Sequence, residues 1–151
     1  MKNHILKTAL IAGTLDISAA FIKSYFVNDV LPSRVLQYIA SGIFGSDAFS
    51  GGFGIMAIGL LVHYVIAFSC TTCFFWLYPK WGVFKKSMVL NSILIALVAW
   101  IVTTRIIVPL SKIKPGQFDI SNALVAVAIL IVCIGFPIAF SAKRHFGQKE
   151  Q

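Results

Sequence analysis

Residues 53–78 read FGIMAIGLLVHYVIAFSCTTCFFWLY and contain no Asp, Glu, Lys or Arg. A helix needs about 20 mostly apolar residues to cross the hydrocarbon core of a bilayer, and this stretch is long enough. Three further apolar stretches meet the same requirement, at about 5–27, 87–108 and 120–140. The sequence therefore predicts an all-α integral membrane protein, a four-helix bundle that forms a single domain over residues 1–151.

The overall composition agrees with a lipid environment. Only 12% of the residues are charged and 58% are hydrophobic, whereas a soluble domain carries roughly 25% charged residues. On a soluble protein, the net charge of +8 would suggest a nucleic acid partner. Here the basic residues flank the apolar stretches, where membrane topology and anionic headgroups explain them. We expect the lipid bilayer, and no nucleic acid, as a partner.

The distribution of Lys and Arg predicts which way the helices run, because cytoplasmic loops are enriched in both residues. One side of the predicted bundle carries eight of them: Lys2, Lys7, Lys80, Lys85, Lys86, Lys143, Arg144 and Lys149. The other side carries five: Lys23, Arg34, Arg105, Lys112 and Lys114. Both termini are therefore predicted to be cytoplasmic. The first helix is expected to be retained rather than cleaved as a signal peptide, because Asp16 interrupts its apolar core.

The connection between the first two helices is the long one, at about 28–52, and it contains a helical pattern. Between Pro32 and Gly45, one face carries Leu36, Ile39, Ala40 and Ile43, while Arg34, Gln37 and Ser41 lie elsewhere. This spacing predicts a short helix that is interfacial, lying on the outer surface, or re-entrant, dipping partway into the membrane. The glycines that follow predict a tight turn, with a substrate-binding loop as the alternative.

Two ionisable residues are predicted to lie near the middle of the membrane. At 1.5 Å per residue, Asp16 is about 16 Å into the first helix and His63 is about 15 Å into the second, against a core of about 30 Å. Equal depth predicts that the two side chains meet, directly or through one water. The pair has two possible roles: it handles a proton or binds a ligand, or it is a polar clamp between two helices.

Small residues flank both ionisable groups at helical spacing. They are Ala12, Gly13 and Ala20 in the first helix and Gly59 and Ala67 in the second. Small side chains allow two membrane helices to approach closely. We therefore expect the first two membrane helices to pack through these faces, with Asp16 opposite His63.

Lys23 and Arg105 are predicted to lie near the outer boundary of the membrane. Their long aliphatic stems allow the charged ends to reach the headgroups, and this is the expected arrangement. The alternative is an outer vestibule above Asp16 whose positive charge attracts anions.

Other chemistry has little support in the sequence. Cys70 and Cys73 form a CxxC motif inside a helix, where buried thiols most often pack as small apolar groups, and Cys133 is interpreted in the same way. A zinc site needs further ligands of suitable type and spacing, so no metal and no cofactor are expected. The chain has no nucleophile motif, no phosphate-binding loop and no pair of carboxylates, and this argues against an enzyme.

Several segments resemble a group of small uncharacterised bacterial membrane proteins of the YagU type. They are residues 11–16 (IAGTLD), 35–42 (VLQYIASG), 59–68 (GLLVHYVIAF) and 106–111 (IIVPLS). The resemblance implies four helices, a location in the bacterial inner (cytoplasmic) membrane, and Asp16 and His63 at the positions of a recurrent Asp and His. It brings no established activity.

Two functional hypotheses follow from these patterns. The first is proton- or small-solute-linked transport or sensing through the Asp16–His63 pair. The alternative is a structural or accessory subunit that binds another membrane protein or a second copy of itself. Small multidrug transporters also have four helices and an acidic residue in the first, but this chain has a much longer first loop and lacks their aromatic pattern around the carboxylate.

Overall fold

Helices account for almost all of the chain that the structure describes, namely residues 2–80, 87–107, 112 and 120–147 of a computed structural model. In chain order the helices are α1 (Lys2–Asn28), α2 (Pro32–Phe44), α3 (Phe53–Leu77), α4 (Met88–Ile101), α5 (Ile120–Leu130) and α6 (Phe136–Gly147). A 3₁₀ turn at Gly45–Ser50 follows α2, and π-helical segments at Val102–Ile107 and Ile131–Gly135 follow α4 and α5. No strand occurs within these described ranges. The all-α prediction is confirmed.

Four helical spans are long and apolar enough to cross a membrane: Lys2–Asn28, Phe53–Leu77, Met88–Arg105 and Ile120–Gly147. They coincide with the four stretches predicted from the sequence, and the chain is a multi-pass membrane protein. The fourth helix runs further than predicted, to Gly147 instead of Phe140, because charged residues such as Lys143 do not by themselves end a helix. The predicted end of the third helix at Val108 lies outside the described residues.

A proline distorts the fourth span in the turn that precedes it. Pro137 has no N–H to donate to the carbonyl four residues before it and its ring crowds that turn. The helix responds with the π-helical segment Ile131–Gly135 and then continues regularly through Phe136–Gly147. At Gly135, a Cβ atom would collide with the backbone carbonyl of Ser92, so glycine allows this segment to pack tightly on α4.

The predicted short helix is present as α2, and its buried residues include Ala40 of the predicted apolar face together with two polar residues. The buried residues are Gln37, Ala40 and Ser41, whereas Ile43, from the predicted apolar face, is half exposed. The turn after α2 folds back along the helix, and Gln37 Nε2 donates to the Gly51 carbonyl at 2.7 Å. Gln37 thus holds the turn instead of facing water. The placement of α2 at or within the membrane surface stays a prediction.

The two ends of the bundle are defined by contacts far apart in sequence. At one end, His4 and His145 lie 4.6 Å apart between ring centroids, and Tyr78 stacks on Phe146. At the other end, the Lys112 backbone N–H donates to the Gly42 carbonyl. The connection after the third span therefore meets α2 at the end of the bundle away from the chain termini.

Candidate functional site

A cavity of about 580 Å³ lies inside the bundle, between all four membrane spans and α2. Most of its wall is aliphatic. Its polar lining residues are Asp16, Lys23, Ser24, Tyr38, His63, Cys70, Trp100, Thr103 and Thr104. The cavity is therefore an apolar chamber with a few polar groups, which is the usual character of a small-molecule site.

Helical periodicity explains how α1 and α3 line this cavity. Residues four and seven positions apart lie on one face of a helix, and α1 presents Asp16, Ala20 and Lys23 at that spacing. In α3, His63 and Cys70 stand in the same relation. Each helix thus contributes one ionisable group near its middle and continues along the cavity with small or polar residues.

The imidazole of His63 is held by the backbone of α1. His63 Nε2 lies 2.9 Å from the carbonyl oxygen of Gly13. A carbonyl oxygen only accepts hydrogen bonds, so Nε2 carries the proton and Nδ1 is the basic nitrogen of the neutral ring. Gly13 also keeps the helices close, since a Cβ there would lie 3.2 Å from the Cβ of Ala67. The contact between α1 and α3 therefore fixes the tautomer of His63.

Asp16 lies in the same cavity, close enough to His63 for electrostatic interaction. Within the described part of the chain, however, no hydrogen bond or ion pair involves its carboxyl group. The direct Asp16–His63 hydrogen bond predicted from equal depth does not form, because the Gly13 carbonyl, one turn before Asp16 on α1, accepts from His63 instead. A contact through one water stays a prediction.

The small residues predicted to join the first two membrane spans have different neighbours. Ala12 and Ala67 are buried, and Gly13 and Ala67 meet between α1 and α3, whereas Ala20 lines the cavity. Gly59 faces α2: a Cβ there would collide with the carbonyl of Leu36. The prediction that Gly59 packs on α1 is wrong, because α2 lies against this face of α3.

A second link between α1 and α3 was missed in the sequence. Thr14 Oγ1 and Tyr64 Oη form a hydrogen bond of 2.8 Å, beside the one from His63 to Gly13. In the sequence, Thr14 directly follows Gly13 and Tyr64 directly follows His63. A threonine and a tyrosine in two helices predicted to touch were the only indication of this contact.

The two cations expected at the outer boundary occupy different places. Lys23 lines the cavity, whereas Arg105 is exposed and belongs to neither cavity wall. A smaller cavity of about 450 Å³ adjoins the first, and its lining includes Arg34. The sequence placed Arg34 among the cations of the outer side and on the polar side of a short helix, but it did not predict that Arg34 lines a cavity.

The cysteines are free thiols in three different settings. Cys70 lines the cavity and Cys133 is half-buried, but Cys73 is exposed on the outer face of α3. The expectation of a buried, packed thiol is therefore wrong for Cys73. Among the described residues, no group of three His, Cys, Asp or Glu side chains is arranged to hold a metal ion.

The comparisons with known proteins add no relative. No protein-family model matches the sequence, and no curated protein or solved structure is significantly similar to it. The interpretation of the cavity therefore depends on its own residues.

Proposed function

We propose that this protein transports or senses a small solute and that solute binding is linked to a proton at Asp16 and His63. The observation that carries the proposal is the cavity of about 580 Å³, whose volume lies in the range of small-molecule sites. Ionisable residues inside a membrane bundle usually mark a substrate or proton pathway. On the cavity wall, the carboxyl group of Asp16 has no hydrogen-bond partner among the described residues, and this supports the proposed role over that of a simple clamp.

The chemistry of the pair suits proton handling. With Nε2 bonded to Gly13, the Nδ1 atom of His63 is the nitrogen that gains or loses a proton. Two forms of the pair carry no net charge: neutral acid with neutral imidazole, and carboxylate with imidazolium. Both avoid the cost of an uncompensated charge in the membrane. A charged solute entering the cavity changes this balance, and proton uptake or release restores it.

We also propose a bacterial inner (cytoplasmic) membrane as the location, with both termini in the cytoplasm. The excess of Lys and Arg on the side of the termini supports this orientation, and the proximity of His4 to His145 agrees with both ends on one side. Lys85, Lys86, Lys114 and Lys149, which contribute to the count, lie outside the described residues. A reporter fused to the C-terminus should behave as cytoplasmic, and one inserted at Ser46 as external; the reverse result would overturn the orientation.

Proton flux into proteoliposomes tests the function. Purified protein is reconstituted with a pH-sensitive dye inside, the membrane potential is clamped, and octanesulfonate or octyltrimethylammonium is added outside. Both probes have a permanent charge and carry no proton themselves. We expect one of them to change the proton flux of the wild type at least about tenfold more than that of the Asp16→Asn variant, the loss expected for removing a proton-transfer group.

The matched control is Asp47→Asn, which removes a carboxylate from the exposed 3₁₀ turn outside both cavities. This variant should behave as the wild type. If neither probe nor a pH gradient distinguishes wild type from Asp16→Asn, the transport proposal is wrong. The structural or accessory subunit would then be favoured, and co-purification with another membrane protein would be the next measurement.

A further inference from the structure

Two positively charged side chains lie at the outer end of the site. Lys23 lines the larger cavity, and Arg34 lines the smaller one. The two cavities share Ser24, Val35 and Tyr38 in their walls. The ammonium and the guanidinium groups therefore belong to two chambers that meet at a common wall between α1 and α2.

Both cations have hydrogen-bond donors to offer a ligand. No described residue forms a hydrogen bond or ion pair with the ammonium group of Lys23. Arg34 donates from Nη1 to the Phe49 carbonyl at 3.1 Å. The other N–H groups of its planar guanidinium can donate to a ligand. A guanidinium and an ammonium together are the groups that proteins use to bind carboxylate and phosphate.

The negative charge in the cavity walls lies deeper in the bundle than Lys23. Asp16 is the one carboxylate among the described residues that line either cavity. It lies about 10 Å further along the α1 axis than Lys23, at 1.5 Å per residue. The outer end of the site is consequently cationic, and it favours an anionic group.

The remaining wall suits an apolar body. Val62, Ile66, Ala99 and Ile129 contribute aliphatic surface from three membrane spans. Trp100 lies in the same wall. A ligand that pairs its charge with the outer cations would place the rest of its length against these side chains.

We infer that the site binds an amphipathic anion, with a compact oxyanion head between Lys23 and Arg34 and an apolar body in the larger cavity. The inference rests on the proposed function, and it names the solute class for that site. Carboxylates and phosphate monoesters share the required head chemistry, whether the molecule is a free single-chain amphiphile or a lipid of the bilayer. A proton taken up at Asp16 or His63 would offset the negative charge of the head.

Quenching of Trp100 fluorescence tests the inference directly. Of the three tryptophans, Trp76 and Trp81 are replaced by Phe so that Trp100 is the reporter. The protein, in nanodiscs of zwitterionic phosphatidylcholine, is titrated with 11-bromoundecyl phosphate, whose bromine quenches tryptophan on contact. Matched probes are 11-bromoundecanol and 11-bromoundecyltrimethylammonium. We expect saturable quenching by the phosphate, and only gradual, non-saturating quenching by the alcohol and the cation.

Variants at the two cations distinguish binding of the probe at a specific site from its general partitioning into the bilayer. Lys23→Gln and Arg34→Gln should each raise the half-saturation concentration of the phosphate about tenfold, as expected for a hydrogen bond to a charged group. Arg34→Lys keeps the charge and should retain more of the affinity. Lys112→Gln is the control, because Lys112 is exposed at the same end of the bundle and lines neither cavity.

Equal quenching by all three probes, or unchanged half-saturation in both Gln variants, would overturn the inference. Adding unbrominated phosphatidic acid, a lipid with a phosphate monoester head, identifies the source of the head: displacement of the probe indicates a bilayer lipid, and no displacement indicates a free amphiphile. Binding and flux are separate readouts. Saturable binding without proton flux would refute the proposed transport and leave the inferred ligand class in place. Proton flux without binding of the phosphate would refute the ligand class and leave the transport proposal in place.

Discussion

The half of the bundle near the chain termini is solid, and the half near α2 is hollow. In the solid half, Phe75 and Ile138 are fully buried, and Tyr78 stacks on Phe146. In the hollow half, the same four spans surround a cavity of about 580 Å³. Each span passes through both halves, so the difference lies in the side chains that it carries at each level.

Helix α3 illustrates the origin of this difference. Its last turns carry Phe74 and Phe75, which fill the space between the spans. Its middle carries His63 and Ala67 at the cavity wall. In lipid, helices associate through packing and hydrogen bonds and not through the hydrophobic effect. A hollow region therefore persists where the side chains are too small to fill it, provided that other contacts hold the helices together.

The largest expected effect of substitution is in the solid half. Phe75→Ala should lower the free energy of unfolding by about 3 kcal/mol or more, because it opens a new void in a closed core. Ile66→Ala, in the cavity wall, should cost about 1 kcal/mol or less, since that side chain already lacks neighbours on one side. Unfolding in mixed detergent micelles, followed by circular dichroism, measures both.

Phe68→Ala is the control for loss of an aromatic side chain from α3, because Phe68 lies on its exposed face. Its loss in free energy of unfolding should be similar to that of Ile66→Ala. Equal losses for Phe75 and Ile66 would mean that the two halves do not differ in packing.

Glycine substitutions should have an intermediate effect in both halves. A Cβ at Gly135 would meet the backbone of Ser92, and one at Gly59 would meet the backbone of Leu36. Neither backbone moves aside easily, so Gly135→Ala and Gly59→Ala should each cost about 1–3 kcal/mol. The same unfolding assay applies, and Gly59→Ala should also weaken probe binding, because it displaces α2 from the cavity.

Gly54→Ala is the matched control within α3, since a Cβ there meets nothing within 4 Å. Alanine is the better helix former, so this variant should be neutral or slightly more stable. A Gly59→Ala variant as stable as Gly54→Ala would contradict the close contact between α2 and α3.

The smallest effects should come from the hydroxyl pairs, one in each half. Thr8 and Ser141 form a hydrogen bond near the termini, and Thr14 and Tyr64 form one near the cavity. Double-mutant cycles with Thr→Val, Ser→Ala and Tyr→Phe should give a coupling of about 0.6 kcal/mol for each pair, the average in membrane helices. A Thr14–Tyr64 coupling near zero, with Thr8–Ser141 intact, would show that the exposed bond does not stabilise the contact between α1 and α3.

The sequence alone predicted the secondary structure closely, and it predicted that the two ionisable residues lie at the same level. Apolar length marked the four spans, and the rise per residue put Asp16 and His63 at one level, where the structure finds both on a single cavity wall. The direct hydrogen-bond partner of His63, the Gly13 carbonyl, was not predicted. Several groups at the same depth can accept a hydrogen bond from an imidazole. Because every residue type has a backbone carbonyl, the identity of residue 13 does not indicate that its carbonyl is the acceptor.

What the sequence determined by itself is therefore one-dimensional: which residues cross the membrane, and how far along each helix a charged group lies. Both follow from the bilayer thickness and from the fixed rise of a helix. Only the tertiary structure decided that Gly59 meets α2, that Gln37 holds the turn at Gly51, and that Arg34 lines a cavity beside the one that Lys23 lines. Helical periodicity specifies which residues share a face. It does not specify which neighbour that face will meet, because this depends on how all the helices pack together.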